Sequence, residues 1–197
     1  MDFLPVDNWS TQSGISGSIE NTWEDRDLQV LDWEETYMID EVPAHDSWDT
    51  FATRQKIELE ELFKSWGVSK QGTRHYMSIR PRLNANLTKI LDNFNLFDHN
   101  YNFLKLTPGN QILWHFDTFA TFVKFNQIDQ TDIDRVYRTA IMMTSWDKGQ
   151  VLQIGNDVYT HWNAGDCFTW KGYTWHGAAN FGPSDMIIAQ ITFLKDE

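Results

Sequence analysis

A single cysteine, Cys167, stands among 197 residues. No intrachain disulfide can form, and a zinc site built on several thiolates is excluded. Cationic residues are scarce as well: 16 Lys and Arg face 28 Asp and Glu, for a net charge of −12. Such a surface repels phosphate backbones, so nucleic acid is not expected as a partner. Lys70, Arg74, Arg80 and Arg82 crowd in or beside TRHYMSIRPR (73–82), where they read as solvated or structural charges. No apolar run approaches the roughly 20 residues of a membrane-spanning helix. The opening MDFLPVDNWS has neither the basic start nor the apolar stretch of a secretory signal. These absences lead to the expectation of a reducing, cytoplasmic location with no membrane partner.

Aromatic residues, by contrast, reach 15%, with 10 Trp and 13 Phe, so an aromatic core is expected. The length suits one domain over 1–197. Residues 1–100 read as an N-terminal extension with supporting helices. The stretch STQSGISGS (10–18) reads as a loop, and DLQVLDWEETYMIDEVP (27–43) has room for a short strand or two before Pro43. Helices are expected over WDTFATRQKIELEELFKSW (48–66), stopped by Gly67, and over NANLTKILDNFNLF (84–97), each with an apolar stripe. From 101 to 197 the texture becomes that of short strands. YNFLKLTPG, QILWHFDTFATFVKF, RVYRTAIMMTSW, GQVLQIG, DVYTHW, DCFTW and DMIIAQITFLK are rich in β-branched and aromatic residues and separated by turn signals. Such a series closes as a sandwich or jelly roll.

Within that series, His115 and Asp117 are two apart in an apolar run, so strand periodicity sends both to one face. His176 follows in GYTWHGAANFG, where a Gly165-Asp166 turn is expected to lead into its strand. Two imidazoles and one carboxylate can occupy one face of an octahedral ion and leave its other positions open, the set that suits ferrous iron. Without a metal, His115 and Asp117 would be a buried hydrogen-bonded pair. Arg138 in VYRTAIMM falls in phase with Ala140 and Met142, and an Arg on an apolar face calls for an anionic partner. Cys167 reads as a small buried hydrophobe, and Trp114, Trp170 and Trp175 read as core residues.

LTPGNQILWHFD and NAGDCFTWKGYTWHGAANFGPSDMIIAQITF resemble the His-X-Asp strand and distal-histidine segment of the Fe(II)- and 2-oxoglutarate-dependent oxygenases. The likeness runs from about Tyr101 to Lys195. It is greatest to the prolyl-hydroxylase-like and aspartyl/asparaginyl β-hydroxylase-like branches. It implies a double-stranded β-helix, a mainly β, jelly-roll and cupin-like fold with flanking helices. It also implies His115, Asp117 and His176 as metal ligands for Fe(2+). The implied activity is a dioxygenase using dioxygen and 2-oxoglutarate to hydroxylate a C–H bond of a peptide side chain or small molecule, with release of succinate. The family's usual cation for the far carboxylate lies about ten residues past the distal histidine, where this chain has Met186. Arg138 is the first alternative anchor, then Lys124, then Arg80 or Arg82. Asn102 is a further cosubstrate-contact position, and Asn180 either fixes the local turn or contacts the cosubstrate. The competing expectations are a cupin-like metal protein or oxygenase that does not use 2-oxoglutarate, and an interaction module presenting the acidic, Trp-bearing first 50 residues.

Overall fold

The computed structural model describes residues 15–38, 58, 60–92, 100–117 and 119–195. Most of the first 50 residues and most of the helix expected over 48–66 lie outside the described residues. The order of elements is β1 (Ile15–Ser18), α1 (Asp25–Gln29), β2 (Glu34–Tyr37), α2 (60–65), β3 (Arg74–Ile79), α3 (Ala85–Asp92), β4 (Asn100–Leu106), β5 (Asn110–His115), α4 (Ala120–Phe125), β6 (Val136–Met142), β7 (Gln150–Ile154), β8 (Asp157–Tyr159), β9 (Asp166–Lys171), β10 (His176–Asn180) and β11 (Met186–Leu194). The larger sheet runs β1-β9-β6-β11-β4-β3-β2 and the smaller β5-β10-β7-β8. From β4 onward the chain passes back and forth between the two sheets, and every pairing is antiparallel. That order is a double-stranded β-helix. The earlier strands β2 and β3 widen one edge, and β1 covers the other.

The hydrophobic pattern explains why the larger sheet is the central layer. Along β11, Met186 and Ile188 point between the sheets, among Leu104, Leu106, Met142, Phe168 and Trp170. Ile187, Ala189 and Ile191 alternate to the other face, where Trp23, Leu28, Leu87 and Ile90 of the α1 and α3 region cover them. A strand buried on both faces reads as a continuous apolar run, which is how MIIAQI reads. Asn84 caps α3, its Oδ1 accepting from the Asn86 and Leu87 amides, and Asp27 of α1 accepts from the Asn84 and Asn86 side chains.

Several expectations change. The 10–18 stretch is not all loop, because β1 pairs with β9. QILWHFDTFATFVKF is not one strand: β5 ends at His115, and residues 120–125 form α4 despite their β-favouring composition. Packing decides this, since Phe122 of α4 is buried with Phe119 and Val136. Gly165-Asp166 turns into β9, whereas His176 opens β10 after its own turn. A strand delivering His176 was expected, but HGAAN is not among the strand-like stretches, since it carries almost no β-forming side chains.

Candidate metal centre

His115 is the last residue of β5 and His176 the first of β10, and the two are paired across neighbouring strands. The pairing contains a β-bulge. Ile112 to His115 spans three steps while the facing Ala178 to His176 spans two. The extra residue reverses the phase of β5. Ile112 packs into the barrel core, and so does His115, although strict alternation would have turned the imidazole outward. Gly177 sits against the bulge: a Cβ there would lie 3.0 Å from the Ile112 carbonyl oxygen and 3.3 Å from the Trp114 amide. The small residue after His176 therefore makes room for the bulged backbone.

The displaced aromatic residues line the other side of these strands. Trp114 stacks on Trp175 at 6.2 Å between centroids, and Phe116 meets Trp175 edge-on at 5.1 Å. The ligand-bearing segments also carry strain. Phe119 (φ 52°) and Tyr173 (φ 63°) both adopt the left-handed region that non-glycine residues rarely enter. The Tyr173 amide donates to the Asp117 carbonyl, tying the two segments together.

His115, Asp117 and His176 converge, with one potential ligand atom from each lying within 4.8 Å of the others. His176 Nε2 is 3.4 Å from Asp117 Oδ2, and the imidazole centroids are 4.3 Å apart. Each ring's Nδ1 faces a backbone carbonyl, Leu113 O at 2.7 Å for His115 and Thr174 O at 2.9 Å for His176. A carbonyl only accepts, so Nδ1 carries a proton in both rings; Nε2 of His176 faces the Asp117 carboxylate. Burial, helped by the neighbouring His176, pushes the His115 pKa down to about 4, so the ring is neutral at pH 7. Burial alone raises the Asp117 carboxyl, but the Arg138 guanidinium and the two imidazoles outweigh it and hold the group well below the usual carboxylate range. A neutral His115 with its Nε2 free and an ionised Asp117 are the protonation states that ligation requires of those two groups. The donor set therefore fits a divalent first-row ion.

Arg138 comes to this centre. Its Nη1 donates to Asp117 Oδ2 at 2.6 Å, and Nε and Nη2 both donate to Thr192 Oγ1 at 3.2 Å. Its guanidinium lies over the Phe119 ring at 5.0 Å. These bonds use three of the five guanidinium N–H groups. Arg138 and Thr192 are cross-strand partners on β6 and β11, and Trp170 of β9 is the partner on the other side of Arg138.

The other candidates divide. Asn102 follows the inward phase of β4, opposite Gln190, and its Oδ1 is buried without a partner among the described residues. Lys124 is exposed on α4 and is not brought to the triad. Arg80 and Arg82 are exposed beyond the end of β3. Of the two roles expected for Asn180, its bonds match the structural one. Its Nδ2 donates to Leu106 O and Ser184 O, its Oδ1 accepts from the Gly182 amide, and both of its N–H donors are spent on the backbone. Met186 is fully buried opposite Leu106, beside the Pro108-Gly109 turn. His161 lies against Trp146, away from the triad. Thr192 and Trp170 beside Arg138 were not read as a group from sequence. The in-phase placement of Arg138 was the signal, but the cross-strand register was needed to reveal its neighbours.

No protein-family model matches the chain, and no curated protein matches it. Among solved structures, the chain is similar to a predicted oxalate decarboxylase from Thermotoga maritima, at 16% identity over 61% of this chain and 81% of that one, with a TM-score of 0.38. A cupin domain from Bordetella pertussis is similar at 12% identity over 52% of this chain and 88% of that one, TM-score 0.35. A sugar phosphate isomerase of a cupin superfamily from Silicibacter pomeroyi is similar at 11% identity over 60% and 59%, TM-score 0.36. The assignment to a double-stranded β-helix rests on this chain's own strand order.

Proposed function

We propose that this chain is a cupin-like metal-dependent enzyme. His115, Asp117 and His176 hold one divalent first-row ion, and Arg138 prepares the site for a small carboxylate. When bound, the ion supplies a Lewis-acidic centre with positions open to oxygen-donor ligands. The 2.6 Å contact between Arg138 and Asp117 carries the reading. A divalent ion brings two positive charges, Asp117 removes one and Arg138 restores one. A dianion, or a monoanion with a second acidic group, is the ligand that neutralises such a buried centre. The two guanidinium N–H groups left over are suited to a carboxylate beside the metal.

The second reading is the Fe(II)- and 2-oxoglutarate-dependent dioxygenase. The placement of His-X-Asp at the end of β5 and of His176 at the start of β10 favours it, as does the demand for a dianion. The position for the far-carboxylate cation is the obstacle. Met186 is apolar and buried, and Arg138, the only cation brought to the triad among the described residues, already touches Asp117. A carboxylate bound there sits next to the ion, which suits a ligand shorter than 2-oxoglutarate.

Calorimetry on zinc-loaded protein tests both readings. The cupin-like reading predicts metal-dependent binding of oxalate, weakened about tenfold or more by Arg138→Ala, the loss expected when a charge-assisted hydrogen bond is removed. Tighter binding of 2-oxoglutarate than of oxalate, with succinate released under Fe(II) and oxygen, would replace the first reading with the second. If neither anion binds, both readings fail.

A further inference from the structure

Trp170 is 3% exposed, and its indole Nε1 is buried without a hydrogen-bond partner among the described residues. A buried N–H left unpaired is costly, and native interiors rarely tolerate one without a reason. The other core tryptophans behave differently: Trp23 Nε1 donates to Met143 O and Trp162 Nε1 to Thr144 O. What sets Trp170 apart is its location. It is the cross-strand partner of Arg138, which is in turn the partner of Thr192, so β9, β6 and β11 present an indole N–H, a guanidinium and a hydroxyl in one row. Arg138 reaches Asp117 at 2.6 Å, and the Trp170 ring lies 4.7 Å from the His176 ring. The row thus lies directly against the triad.

We propose that Trp170 is a ligand-binding residue whose Nε1–H donates to an oxygen of a carboxylate bound between the triad and the Trp170–Arg138–Thr192 row. This deepens the metal-site reading above and rests on it. Every group in the row has donor capacity to offer. Trp170 has its N–H, Arg138 has its two unused N–H groups, and Thr192 Oγ1 accepts from Arg138 and so keeps its own proton to give. Donors without an intervening acceptor match an oxyanion and exclude a cationic ligand. An indole has no acceptor at all, so Trp170 would select a carboxylate oxygen over an amine or amide N–H at that point. The orphan N–H thus becomes part of a cradle that is complete only when the anion is present.

The test uses zinc-loaded full-length protein with oxalate as probe. In the wild type, the indole N–H resonance of Trp170, assigned through its contact with the His176 ring, shifts downfield on oxalate addition. Trp170→Phe keeps its zinc affinity within about twofold and loses oxalate affinity about tenfold to a hundredfold, as expected for a hydrogen bond to a charged acceptor. Trp162→Phe, a core control remote from the row, leaves oxalate affinity unchanged. An unmoved resonance, or unaltered oxalate binding by Trp170→Phe, overturns the proposal while the metal-site reading stands. If Trp170→Phe does not fold, the wild-type resonance decides by itself. If zinc does not bind the wild type, the metal-site reading fails and this proposal fails with it.

Discussion

The two ends of the barrel treat buried polar groups in opposite ways. At the end near the Pro108-Gly109 turn, Asn110, Gln150 and Asn180 are almost fully buried, and each spends its side chain on the backbone. Asn110 bonds Thr107 and Pro108, Gln150 bonds Ser184 O and the Asp147 amide, and Asn180 bonds Leu106, Ser184 and Gly182. Met186 fills the space beside them. At the other end each imidazole bonds a carbonyl through Nδ1 but turns its Nε2 side to the triad, Arg138 bonds Asp117, and Trp170 Nε1 has no partner among the described residues. Strained backbone at Phe119 and Tyr173 belongs to this second end. Satisfied polar groups close and hold the barrel at the first end, and on the proposed reading the unsatisfied ones at the second are there for a ligand.

If that division is real, substitutions at the two ends should fail differently. The largest effect is expected at the triad. His176→Ala removes a ligand and should lower zinc affinity by more than the roughly 10–100-fold that loss of a supporting contact costs, measured by competition with a chelator. At the opposite end, Asn180→Ala leaves the Gly182 amide without its partner and takes a donor from the Leu106 and Ser184 carbonyls, of which Ser184 O keeps Gln150. Denaturant unfolding should show a loss of about 3 kcal/mol, from the cost of such orphaned groups, while zinc affinity of the folded fraction is unchanged. Loss of zinc binding by Asn180→Ala would erase the distinction.

Gly177→Ala sharpens the comparison because it acts on both counts. The new Cβ presses on the backbone of the β5 bulge. A destabilisation of about 1–3 kcal/mol is expected from overpacking, together with weaker zinc binding, since the bulge is what faces His115 inward. A variant that loses stability alone would show that His115 does not depend on the bulge. The smallest effect belongs to Cys167, which lies on β9 outside both polar clusters. Burial, with Asp166 adding to it, raises its thiol to about 11, so at pH 8 the reactive thiolate is a minor species. Thiol labelling at pH 8 should be negligible in the native protein and rapid after unfolding. Fast native labelling would contradict the burial assigned to β9.

Sequence revealed much of the second end and little of the first. That His115, Asp117 and His176 come together was legible because metal-capable side chains in or beside apolar strands are chemically conspicuous. Arg138 was legible because period two put a guanidinium on an apolar face. The bulge was not, since nothing in QILWH marks an extra residue and the signal lies across the ladder, at Gly177. β10 was expected only as the strand carrying His176, and its separation from β9 was not legible because small residues packed against neighbouring strands need no β propensity of their own. α4 was misread for the opposite reason: β-favouring residues were turned into a helix by the packing of Phe122 against Phe119 and Val136. For Asn180 the sequence left a turn-fixing and a cosubstrate role open, and its partners match the first.

A zinc titration of the chelator-treated protein, read by competition and by metal content after gel filtration, bears most directly on the central claim. One equivalent retained by the wild type, and lost in His115→Ala, Asp117→Ala and His176→Ala alike while each remains folded, is the result the metal-centre account predicts. A wild type that retains no metal, or single variants that still hold a full equivalent, would contradict it.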